Sequence, residues 1–132
     1  MPEFGKQSKE RLEEADWRLQ RVMEQAIKIM DFSVTTGYRG REAQEKAFQD
    51  GFSRARFGQS KHNFRPSRAV DVCPWPVDWE DTESFVLLAG VVKAVSAGLG
   101  LGDVIRWGGD WDSDDRTRDE GFRDYGHFEI EE

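Results

Sequence analysis

Cysteine and histidine are both scarce in this chain, and each shortage narrows what it can do. A single cysteine, Cys73, rules out an internal disulfide and any metal knuckle built on paired cysteines. Two histidines, His62 and His127, leave room for one conventional metal site that uses both. No apolar run is long enough to cross a bilayer; the longest, Phe85 to Val95, contains Lys93. The opening stretch "MPEFGKQSKERLEEAD" has no apolar segment of the kind a secretory signal needs. The expectation is a chain made and kept in the cytoplasm, with no membrane insertion. Internal repeats, low-complexity tracts and linkers are missing too, so residues 1–132 are read as a single domain with one core.

What is present suits a compact fold. Hydrophobic residues make up 37% and charged residues 34%, enough for a core and a well-solvated surface without requiring disorder. The net charge of −7 is unevenly spread. Arg39 to Arg68 holds eight Lys/Arg against three Asp/Glu, whereas Asp71 to the end holds five against sixteen. The overall acidity argues against nucleic-acid binding, which relies on neutralising phosphates. The basic segment could attract a small anionic substrate, or simply be a solvated loop and helix face.

Apolar residues at Leu12, Ala15, Leu19, Val22, Met23, Ala26, Ile27 and Met30 recur at helical spacing, with Ser8 placed to cap the start and a break near Asp16. "FSVTTGYR" reads as a strand entering a turn at Gly37, and "GREAQEKAFQDGF" as a second helix ended by Gly51. "RAVDVC" alternates as a short strand, and the prolines of "PWPVDW" stop it. "TESFVLLAGVVKAVSAG" is a third helix, apolar enough to be mostly buried, and "VIRWGG" and "GHFEIE" are two more strands. This order predicts an α+β domain in which a small antiparallel sheet packs with about three helices.

A catalytic zinc commonly takes three protein ligands from His, Asp or Glu and leaves a fourth position for water. His62, Asp71 and His127 form the one such set that uses both histidines, with Asp71 and His127 on predicted strands that could be neighbours. From the residues alone, ordinary surface or core histidines remain the competing reading.

Two motifs change that balance. "SKHNFRPSRAVD" (Ser60 to Asp71) resembles the Ser-x-His…Ala-x-Asp signature of the zinc peptidases that cut bacterial cell-wall peptides, and "DYGHF" resembles their second signature, an acid three positions before the last zinc-binding histidine. These are the D-alanyl-D-alanine carboxypeptidases and L-alanyl-D-glutamate endopeptidases, with a Hedgehog/DD-peptidase-like fold. "FGKQSKERLEEADWRLQRVMEQAI", "TGYRGREAQ" and "RWGGDW" are similar to further elements of the phage endolysin subgroup, in the same order. His62 and Asp71 lie nine residues apart, a longer loop than the commonest form of that signature.

The resemblance implies that His62, Asp71 and His127 bind one zinc ion, that Asp124 is the general base, and that Arg39 lies near the substrate carbonyl. Asp124 stands where many relatives carry glutamate. Glu129, which shares a strand face with His127, is the rival base or a partner orienting that histidine. Ser60, Arg65 and Arg68 are candidate substrate-binding residues, with satisfaction of loop backbone as the competing role for Ser60. Trp75, Trp79, Trp107 and Trp111 could line a groove or pack in the core. Cys73 is read as a small buried hydrophobe. "DWDSDD" begins like a calcium loop at Asp110, Asp112 and Asp114, but Asp115 and Gly121 stand where the loop's glycine and glutamate belong.

The implied activity is hydrolysis of peptidoglycan stem peptides at the L-alanyl-D-glutamate bond, in phage-type host lysis. The implied setting is a monomer without a wall-binding module, held in the host cytoplasm until a separate holin-type protein opens the way to the periplasmic wall. A D-alanyl-D-alanine carboxypeptidase on the same scaffold, and a non-catalytic wall-binding domain of this fold, remain the alternatives.

Overall fold

The computed structural model describes residues 2–109 and 124–131. The elements run α1 (Lys6–Glu13), α2 (Trp17–Ala26), β1 (Phe32–Thr36), α3 (Arg41–Gln49), a 3-10 turn (Lys61–Asn63), β2 (Ala69–Pro74), α4 (Thr82–Gly98), β3 (Ile105–Trp107) and β4 (His127–Ile130). The strands form one antiparallel sheet in the order β1-β2-β4-β3. The class is the expected α+β. The described residues hold four helices instead of about three, because the first apolar stripe is divided in two.

That division has a local cause. Asp16 N–H donates to Ser67 O and Ser67 N–H donates to Glu14 O, each at 2.8 Å, so the main chain here pairs sideways and cannot continue a helix. The Asp16 carboxylate then accepts the Arg18 N–H at 2.9 Å and caps α2. Ser8 does not cap α1. The helix starts after Gly5, and the buried Ser8 hydroxyl accepts the Val34 N–H at 3.0 Å, tying α1 to β1. Expected to be mostly buried, α4 instead buries one face through Phe85, Leu88, Ala89, Val92 and Ser96, while Leu87 is 64% exposed.

Period-two alternation sorts the sheet into two unlike faces. Phe32 and Val34 of β1, Val70 and Val72 of β2, and Phe128 and Ile130 of β4 join the core formed with Leu12, Leu19, Val22, Met23, Leu88 and Val92 of the helices. Burying each such side chain contributes about 1.5–3 kcal/mol, which makes this face the main source of stability. The intervening residues Asp71, His127, Glu129 and, from β3, Arg106 belong to the other face. Register aligns them: Asp71 pairs with His127 across β2 and β4, and Arg106 pairs with Glu129 across β3 and β4.

Candidate active site

A cavity of about 370 Å³ opens on this polar face, with Asp71, His127 and Glu129 among its lining residues. His62 reaches it from the 3-10 turn. Ser60 caps that turn by accepting the His62 N–H at 3.2 Å, and it borders the cavity as well. One ligand atom from each of His62, Asp71 and His127 lies within 4.8 Å of the other two. The two imidazoles meet edge to face, their centroids 5.1 Å apart.

Each of these three side chains is also braced by a second polar contact. His62 Nδ1 donates to the Gly37 carbonyl at 2.7 Å. Gly37 itself lies against α1, where a Cβ would meet Arg11 O at 2.1 Å, so this position needs glycine. Asp71 Oδ2 accepts from Arg39 at 3.2 Å, and His127 Nε2 contacts Glu129 Oε1 at 2.8 Å. The braces leave His62 Nε2, Asp71 Oδ1 and His127 Nδ1 to face one another, at 3.2 Å and 3.0 Å from the shared oxygen.

The donor set fits a metal ion. His62 Nε2 is buried and has no hydrogen-bond partner among the described residues, although Asp71 Oδ1 is close by. With Nδ1 given to the Gly37 carbonyl, Nε2 is the His62 ring atom aimed at the shared Asp71 oxygen, where it could serve as a metal ligand. Two imidazoles and a carboxylate form a set that zinc accepts. Outer hydrogen bonds of this kind fix ligand orientation in metal sites.

Electrostatics separate the two candidate bases. Burial raises the Asp124 pKa, and the nearby Asp71 charge adds to the rise against the opposing pull of His127, His62 and Arg39. Burial alone would raise Glu129 too, but hydrogen bonds from His127 and Arg106 outweigh it and bring the value to about 2. Glu129 therefore stays ionised, with one oxygen on His127 and the other 2.7 Å from Arg106. Burial likewise disfavours charge on His127 and Asp71. The Asp71 and Glu129 hydrogen bonds nevertheless raise His127 to about 10, while the two histidines hold Asp71 well below the usual carboxylate range.

Hydrogen bonds of the main chain place Asp124. Its N–H donates to Gly108 O at 2.9 Å, its carbonyl accepts the His127 N–H at 3.0 Å, and Trp107 Nε1 donates to Tyr125 O at 2.8 Å. Gly108 is indispensable to this approach, since a Cβ would meet Asp124 O at 2.2 Å.

Several expected residues lie elsewhere. Arg65 and Arg68 do not border the cavity; their guanidinium groups sit over the rings of Tyr38 and Phe64, at 4.2 and 4.5 Å. The long loop that carries them is tied by Ser67 to the α1–α2 junction, a structural use of its extra length. Trp75 and Trp79 are exposed and away from the cavity, while Trp107 packs against the core. Cys73 is buried as expected. Trp111 and the calcium-loop candidates Asp110, Asp112 and Asp114 lie outside the described residues.

Two residues of the site were given no role by the sequence reading. Arg106 faces Glu129 across β3 and β4, which only the strand register discloses. Gln44 is the one buried residue of α3, and a glutamine at the inward position of a helix was the available signal.

The family model for the phage L-alanyl-D-glutamate peptidase matches residues 2–131. The chain is 32% identical over 136 residues to the L-alanyl-D-glutamate peptidase of Escherichia phage T5, covering 96% of each protein. It also matches the crystal structure of the Serratia marcescens L-Ala D-Glu endopeptidase ChiX with a TM-score of 0.75 at 26% identity, covering 98% of this chain and 90% of that one. With its His-Asp-His group braced on the polar sheet face, the chain belongs to the phage L-alanyl-D-glutamate peptidase family.

Proposed function

We propose that this chain hydrolyses the L-alanyl-D-glutamate bond of peptidoglycan stem peptides with a zinc ion held by His62, Asp71 and His127. The observation that carries the reading is the convergence of those three side chains at the cavity, each braced from its far side, in a member of this family. When bound, zinc supplies Lewis acidity that polarises a carbonyl and lowers the pKa of coordinated water to about 7.

The chain's own groups divide the remaining work. Asp124 accepts the proton of the attacking water and passes it to the leaving amine, a role its raised proton affinity and its place on the cavity support. Glu129 keeps the His127 ring oriented and, already engaged on both oxygens, is not the base. Arg39 fixes Asp71 and offers positive charge beside the substrate carbonyl, where the oxyanion develops. Ser60 holds the His62 turn and presents its hydroxyl to substrate.

In the same reading residues 1–132 act as one catalytic domain and as a monomer. The enzyme waits in the host cytoplasm and reaches the wall through a separate holin-type protein. The likeness to a phage protein supports this setting.

Metal analysis paired with digestion of purified peptidoglycan tests the assignment. One zinc per chain is expected, with activity abolished in His62→Ala together with stoichiometric binding. Full activity in that variant would reject the metal site.

A further inference from the structure

Helix α3 buries a single side chain, and that side chain is an amide. Gln44 has no exposed surface, whereas the other residues of the helix are half-buried or exposed. A buried amide costs stability unless its donors and acceptor are matched. Here Nε2 donates to Ser53 Oγ at 3.0 Å and to Ala55 O at 2.6 Å. Oε1 accepts from Arg39 Nη1 at 3.1 Å and from Asn63 Nδ2 at 3.2 Å, so all four hydrogen-bonding positions are used. Ser53 and Ala55 belong to the wall of the cavity, and Asn63 to the turn carrying His62.

The contact with Arg39 is the one that bears on chemistry. Its guanidinium is held at two nitrogens, Nη1 on Gln44 and Nη2 on Asp71 Oδ2 at 3.2 Å. The Arg39 main chain is fixed as well, its N–H donating to His62 O at 2.8 Å and its carbonyl accepting from Asn63 at 2.9 Å. Asp71 is a proposed metal ligand whose other oxygen faces His62 and His127. Gln44 Oε1 is therefore the acceptor on this guanidinium that lies outside the ligand set. A long arginine side chain needs such an anchor, because a charge stabilises a developing oxyanion best when it is held in place before the reaction.

We propose that Gln44 is a positioning residue for Arg39, holding its guanidinium at one nitrogen so that the other end stays directed at Asp71 and the substrate carbonyl. The proposal deepens the peptidase reading above and rests on it. A double-mutant cycle on zinc-loaded protein tests it, with a synthetic peptide containing the L-alanyl-D-glutamate bond as substrate. Arg39→Ala is expected to lower kcat about 10²–10³-fold. Gln44→Met should lower kcat about ten- to hundredfold, with KM moved by less than about threefold. In the Arg39→Ala background Gln44→Met should cost less than about threefold more, because no guanidinium is left to position. A packing defect would remove active enzyme by the same factor in both backgrounds, so an additive loss would overturn the proposal. A change confined to KM would overturn it too, limiting Gln44 to shaping the wall. Gln44→Glu keeps the accepting oxygen and the side-chain length, and carries the test if Gln44→Met does not fold. Its kcat should stay within about threefold of the wild type, and a fall as deep as that of Arg39→Ala would sink the idea. Failure of the zinc-loaded wild type to cleave the peptide at all would instead overturn the peptidase reading, and this proposal with it.

Discussion

His127 is the residue on which proton and metal compete. In the metal-free protein burial works against its charge, but Asp71 and Glu129 raise its pKa from 6.5 to about 10. The imidazolium's contribution to stability is therefore fully present below pH 6.5 and is lost as pH climbs through 10. A zinc ion taking Nδ1 must displace one proton across that window. Zinc affinity should rise about tenfold per pH unit there, as measured by competition with a chromogenic chelator, and a flat profile would contradict the ligand assignment. Asp124 and Glu129 should respond differently to loss of charge. Asp124→Asn is expected to lower kcat by about 10²–10⁴-fold with zinc content intact. Glu129→Gln should instead weaken zinc binding by about 10–100-fold, because it loosens the His127 ring. Equal effects of the two on both readouts would erase the distinction between base and brace. His62, Asp71 and His127 were legible in the sequence because their motifs carry them. Gln44 and Arg106 were not, since their importance lies in contacts between segments remote in the chain.

At the scale of elements, the site depends on register. A one-residue slip of β4 against β2 would turn His127 and Glu129 into the core and push Phe128 out, so the apolar face enforces the polar one. The turn from Asp124 to His127 is set by Gly108, which has no room for a side chain. Gly108→Ala is expected to destabilise the fold by about 1–3 kcal/mol in urea unfolding and to reduce kcat by displacing Asp124. Unchanged turnover would show that the base does not depend on this approach. The four strands and the later two helices were readable from the sequence, but the first two helices were read as one stripe with a break near Asp16 that owes its shape to Ser67, about fifty residues away. Local pattern flagged the break without supplying the partner. Arg65 and Arg68 show the same limit: their place in a basic loop says nothing of the rings of Tyr38 and Phe64 beneath their guanidinium groups.

For the whole molecule, one sheet serves two purposes, with α1, α2 and α4 covering its apolar face and the cavity opening on the other. The proposed ligands come from a 3-10 turn, β2 and β4, so a metal would link parts of the chain that are distant in sequence. Chelation should lower the melting temperature, with a stabilisation of about 4 kcal/mol restored at a free zinc concentration of about 1,000 times Kd. A melting curve indifferent to chelator would mean that no ion joins these segments. The fold class was readable from the order of elements, whereas strand order and cavity shape were not, because both arise from long-range pairing. The central claim is the bond cleaved, and the most direct test is mass spectrometry of peptidoglycan digested by the zinc-loaded protein. The account predicts fragments with new L-alanine carboxyl termini and new D-glutamate amino termini, absent after chelation. Release of free D-alanine without those termini would contradict it.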